Sequence, residues 1–298
     1  MLTVRSSRPT DNQVDEMSNP EDSGGDAPGF GRSVQDRLAN RITIVVPTRG
    51  NEKLRRLMQK VNADDELYAL WIAANVTAID RLNMTDHGPV HVKIVMNLAL
   101  RMLRLLMDRG IEPAIARDYG LERHDAEVVV ALAALFHDVG MSIQRADHEE
   151  YSLFVAQTKL KDYLDELYPL SEATIVRAEI LHAIIAHRSG GKPLTLEAGV
   201  VRIADALDIA KGRSRIPFES GSVSIHSVSA AAIEAVRIEP GVGKAIRIVI
   251  EMSNSAGVFQ IDELFRRKLS GSGLEPHVEL EAQVVGEGEK RLVERFEL

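Results

Sequence analysis

From Asn51 to about residue 215 the sequence repeats apolar residues three and four positions apart, the spacing that puts them on one face of an α-helix. The pattern recurs in LRRLMQKV, ADDELYALWIAANVTAIDRL, VHVKIVMNLALRMLRLLMDRG, DAEVVVALAALFHDVG, HEEYSLFVAQTKLKDYLDELY, SEATIVRAEILHAIIAHRSGG and LEAGVVRIADALDIAKG. Seven helices packed as one bundle are expected. Gly110, Gly140 and Gly190 can close helices in the left-handed conformation, and Ser171 and Thr195 suit N-caps.

On either side the texture differs. Residues 1 to 38 are rich in Ser, Pro, Gly, Asp and Asn, bury little apolar surface and are expected to be disordered. Ile42 to Val46 could form a short strand. After Pro217 come alternating runs, EAVRIEP, KAIRIVIEM, HVELEAQVVG and RLVERFEL, with an amphipathic stretch, IDELFRRKLSGSG, between the second and third. The expected fold class is mainly α, a helical domain over residues 39 to 216 followed by a small α+β domain over 217 to 298. That second part could bind a regulator, cover the site or join subunits in a homo-oligomer.

Composition narrows the function. The formal charge of -8 gives no general attraction to nucleic acid or anionic membranes, so any anion site must be local. With no cysteine, disulfides and thiolate chemistry are excluded, which fits a reducing cytoplasm. The longest strongly apolar stretch, Val128 to Phe136, is far short of the roughly 20 residues of a membrane span and reads as a buried helix. No secretory signal is legible at the N-terminus.

The helical region is rich in His and Asp, whose imidazole and carboxylate groups together suit Fe, Mn, Zn or Mg. His137 and Asp138 follow the apolar LAALF directly, where a buried carboxylate calls for a cation or an ion pair. His87 and His91, four apart, would share one helical face; His182 and His187, five apart, would not both align. His148 begins a helix, and one of Asp205 and Asp208 can point inward. An isolated histidine on a half-apolar helix is more often an ordinary core or surface residue than a ligand. His124, His226 and His277 have no supporting context.

The order His91, His137 with Asp138, then Asp205 resembles the HD superfamily of metal-dependent phosphohydrolases. By that resemblance these four residues hold one divalent metal, and His148 and His187 complete a second around a bridging Asp138. His87 stands where some two-metal members carry a further ligand. The resemblance implies hydrolysis of a small-molecule phosphate ester, a nucleotide or a relative of one, by metal-activated water, with Asp138 as the catalytic centre. The alternative is a non-catalytic nucleotide-binding sensor or scaffold. Two features depart from the family: Met141 stands where many members have Lys, with Arg145 and Arg188 the nearest basic residues, and the GYP signature of the cyclic-di-GMP phosphodiesterases is absent. Asp208 or Glu149 could orient the ligating imidazoles. In KGRSR, Lys211, Arg213 and Arg215 either bind the substrate phosphate or complement the helix dipole.

Overall fold

The computed structural model describes residues 33–188, 190–209, 229–285 and 295–297. Nine α-helices precede the sheet among them: α1 (Val34–Ala39), α2 (Glu52–Ala63), α3 (Asp65–Asn75), α4 (Pro89–Asp108), α5 (Ala114–Tyr119), α6 (Asp125–Phe136), α7 (His148–Leu164), α8 (Leu170–Ala186) and α9 (Leu196–Ala206). Each of the seven periodic segments forms one of them. α1 and α5 carry no periodic signal because six residues span under two turns. α1 closes the stretch expected to be disordered and starts with a reciprocal capping box between Ser33 and Asp36; residues 1–32 lie outside the described ones. The expected boundary near residue 216 falls in 210–228, also outside them.

The apolar run does become a buried helix. Every residue of α6 is buried, and the helix is sheathed by α4, α8 and α9, its long side chains each contributing roughly 1.5–3 kcal/mol of apolar burial. The Trp71 indole donates to the Leu135 carbonyl at 3.0 Å, tying α3 to the end of α6. Ile42 to Val46 forms no strand among the described residues. The Asn62 side chain instead accepts from Ile44 N (2.8 Å) and donates to Ile44 O (2.9 Å), so one amide does locally what a strand partner would.

Of the three expected left-handed glycines only Gly110 is one, at φ 79°. Gly140 serves close approach: a Cβ there would overlap the His148 carbonyl at the start of α7. Thr195 caps α9 as expected, whereas Pro169, not Ser171, precedes α8.

The four alternating runs form one sheet in the order β1 (Ile233–Pro240), β2 (Ile246–Met252), β3 (Val278–Val284) and β4 (Arg295–Glu297). β2 and β3 are parallel, and the outer pairs are antiparallel. A parallel pair needs a crossover. It runs through a turn of α-helix (Val258–Gln260), a π-helical turn (Ile261–Phe265) and α10 (Arg266–Leu269). Register places Ile246, Ile248, Ile250 and Met252 beside Val278, Leu280, Ala282 and Val284 on the buried face, which packs toward α4. No helix among the described residues is long and apolar enough to cross a membrane.

Candidate metal centre

Six of the expected site residues converge, and each stands at or near a helix end. His91 is in the first turn of α4, and His137 and Asp138 directly follow α6. His148 opens α7, His187 follows α8, and Asp205 is in the last turn of α9. Short polar side chains can meet there because several helices direct their ends at one point while their bodies pack in the core.

Asp138 organises the cluster. Its Oδ2 lies 3.2 Å from Nε2 of both His91 and His137, and Asp205 Oδ1 approaches the same two nitrogens at 3.5 and 3.7 Å. The Oδ1 of Asp138 lies 3.1 Å from His148 Nε2 and 3.6 Å from His187 Nε2. Three overlapping groups therefore have donor atoms close enough to share a cation: His91, His137 and Asp138; His137, His187 and Asp205; Asp138, His148 and His187.

The other ring nitrogens show what the inner ones can do. His91 Nδ1 donates to Asp208 Oδ2 at 2.6 Å, His137 Nδ1 to the Ala134 carbonyl at 2.8 Å, and His187 Nδ1 to the Ile184 carbonyl at 2.6 Å. In their neutral forms these rings turn bare Nε2 lone pairs inward. His91 and His137 then set two lone pairs 3.1 Å apart, beside carboxylate oxygens that also only accept. Such a set is stable only around positive charge, and imidazole with carboxylate donors fits a divalent cation. His148 differs, because its Nδ1 lies 3.1 Å from the Arg145 carbonyl, 3.2 Å from Glu149 and 2.9 Å from the Arg145 guanidinium. Two of these neighbours ask it to donate and one asks it to accept.

Without a metal, a proton makes up the deficit. Burial opposes charge on His137, but Asp138 and Asp205 outweigh it and push its pKa up to about 10. Burial also opposes ionisation of Asp138 and Asp205. The charge of His137 and hydrogen bonds from His137, His148 and His187 nevertheless hold Asp138 well below the usual carboxylate range, and Lys268 with His137 does the same for Asp205. At His187 burial prevails and pushes the imidazole down.

The remaining expected residues are less central. His87 precedes α4, with Gly88 at the N-cap, so it does not share a helical face with His91, yet its ring stands beside that of His91 with centroids 5.7 Å apart, and its Nδ1 faces the Thr85 carbonyl at 2.7 Å. His182 accepts from Leu194 N at 3.0 Å, away from the cluster. Met141 is fully buried, and Arg188 pairs with Glu150. Lys211, Arg213 and Arg215 lie outside the described residues. Lys268 escaped sequence reasoning altogether: its ammonium contacts Asp205 Oδ2 at 2.6 Å. DELFRRKLSGSG advertises only a basic face, and nothing in it points to a carboxylate 63 residues upstream.

Packed helices that bring a His, a His-Asp pair and a distant Asp to one buried point form an HD-type cluster able to hold a metal, and the HD domain family matches residues 91–210, beginning at His91 itself. The chain belongs to the HD superfamily of metal-dependent phosphohydrolases. It is 41% identical over 223 residues to an uncharacterised protein of Methanocaldococcus jannaschii, across 75% of this chain and 85% of that one. It is also 25% identical over 177 residues to ribonuclease Y of Opitutus terrae, across 57% of this chain but 30% of that protein.

Proposed function

We propose that the chain is a two-metal phosphohydrolase or phosphodiesterase that cleaves a small-molecule phosphate ester, a nucleotide or a relative of one. The observation that carries this reading is Asp138, whose two oxygens face separate nitrogen sets. His91, His137 and Asp205 would hold one divalent ion, His148 and His187 the other, with Asp138 between them. Nitrogen-rich sets of this kind favour Fe, Mn or Zn over Mg. Bound there, divalent ions supply Lewis acidity toward a phosphoryl oxygen and lower the pKa of water toward neutrality.

The protein's own groups do the rest. Asp138 stays ionised, so both of its oxygens remain available. Asp208 and the carbonyls of Ala134 and Ile184 hold His91, His137 and His187 in the tautomer that turns Nε2 inward. His137 must give up its proton on metal loading, since only the neutral ring ligates. Burial of these rings keeps bulk water off the reacting centre and strengthens the electrostatics within it. Lys211, Arg213 and Arg215, just beyond Asp208 in sequence, are proposed to bind the substrate phosphate, and that cluster supports a nucleotide-sized anion.

Metal analysis coupled to a phosphate-release screen over nucleotides, dinucleoside polyphosphates and cyclic nucleotides tests the reading, with Asp138→Ala as control. A short RNA belongs in the panel because one relative is a ribonuclease. Protein that carries Fe or Mn yet cleaves no member of the panel would overturn it.

A further inference from the structure

Lys268 reaches the cluster from outside the matched HD region. Its ammonium donates to Asp205 Oδ2 at 2.6 Å and to the His187 carbonyl at 2.9 Å. The other oxygen of Asp205 faces His91 and His137. Lys268 therefore occupies the outer side of the site, where Asp205 is 17% exposed while the side chain of Asp138 is 5% exposed and those of His91 and His137 are sealed. An ammonium has three N–H donors. Two are engaged, and the third has no hydrogen-bond acceptor among the described residues.

This placement is enforced by the backbone. Arg202, one turn before Asp205 on α9, is buried and donates to the carbonyls of Lys268 (2.8 Å) and Arg267 (3.4 Å). The same guanidinium donates to Arg188 O (3.0 Å) and Gly191 O (2.6 Å) in the loop after α8. One fixed fork thus clamps α10 to the segment that carries His187. A turn earlier, Gly199 has no side chain to keep the chain at Ser272 away; a Cβ there would overlap the Ser272 carbonyl. Gly199, Arg202 and Asp205, spaced three apart, form one face of α9 along which residues 267 to 272 are seated.

Among the described residues, the nearby alternatives do not supply a cation beside Asp205. Arg188 is committed to Glu150, Arg145 lies on the outer nitrogen of His148, and Met141 is apolar and buried. Among the described residues, Lys268 is the Lys or Arg side chain in contact with a carboxylate of the cluster.

We infer that the C-terminal α+β part completes the active site by delivering Lys268, which Asp205 and the His187 carbonyl orient so that its remaining N–H binds a non-bridging oxygen of the substrate phosphoryl group. The inference rests on the phosphohydrolase reading, and it assigns the sheet region a direct part in substrate binding.

The test uses full-length, Mn-loaded protein and inorganic phosphate as the probe, with calorimetric affinity and metal content measured on wild type, Lys268→Met and Lys268→Arg. Lys268→Met should keep the wild-type metal content and lose phosphate affinity by roughly 10- to 100-fold, the worth of a charge-assisted hydrogen bond, and Lys268→Arg should recover most of it. Lys268→Gln repeats the measurement if Lys268→Met melts early. Unchanged phosphate affinity in the neutral variants would overturn the inference, as would a wild type that binds no phosphate. Loss of metal with loss of phosphate would also overturn it, because Lys268 would then act on Asp205 alone. If the wild type holds phosphate through Lys268 but hydrolyses nothing, the phosphohydrolase reading fails while this assignment stands.

Discussion

The two halves of the proposed metal centre share Asp138 but are built differently. His91, His137 and Asp205 come from α4, α6 and α9, helices that pack on one another in the core, and two of the rings are tethered through Nδ1 by a carboxylate and a carbonyl. His148 stands after Asp147, whose φ of 53° is left-handed, and its outer nitrogen has neighbours with opposite demands. A pre-organised half loses little freedom on binding and should hold its ion tightly. The half at the start of α7 should exchange more readily.

Removing the shared group should have the largest effect. Asp138→Ala should release both ions and lower phosphate-ester turnover by roughly 10³-fold or more, measured by elemental analysis and product release. Separating the halves comes next. His148→Ala should retain about one ion per chain where the wild type holds about two, whereas His91→Ala should weaken the tight site itself, a contrast that equal losses from both variants would abolish. Asp208→Asn, which replaces the tether of His91 without touching a ligand, should weaken metal affinity by about 10- to 100-fold in a chelator competition.

Metal binding at His137 is linked to its proton. His137 is protonated at neutral pH in the metal-free protein, so titrating Mn²⁺ into apo protein in weak buffer at pH 7 should release about one proton per chain. Because its folded pKa lies above the unfolded value, His137 contributes stability to the apo protein that is full below pH 6.5 and is lost as pH rises through about 10; thermal melts across that window report it. The smallest effect should come from Ser152, whose hydroxyl donates to the His137 carbonyl at 2.7 Å and accepts from Gly140 N at 2.9 Å. Ser152→Ala should lower stability by about 1–3 kcal/mol in denaturant unfolding and leave metal stoichiometry intact.

The helices and strands were largely legible because apolar period is a local property, read equally well in α6 and in β2. What escaped was set by neighbours distant in sequence. Ile42 to Val46 has a strand's composition, yet Asn62 satisfies Ile44 instead. Gly140 resembles a helix stop but is needed because α7 crosses close above it. His87 and His91 have one-turn spacing, but the helix begins at Pro89, between them.

His137 and Asp138 were conspicuous in the sequence by their position after an apolar helix, and residue chemistry there already called for a cation or an ion pair. The order of His91, His137, Asp138 and Asp205 further indicated the family. Only the tertiary structure decided that Asp138 divides its oxygens between two nitrogen sets, that Asp208 tethers His91, and that Arg202 seats Lys268 against Asp205. The reason is physical: periodicity reports which side of an element is buried, whereas a metal site depends on angstrom-scale distances between atoms on different elements, and those arise only when the helices and the sheet pack together.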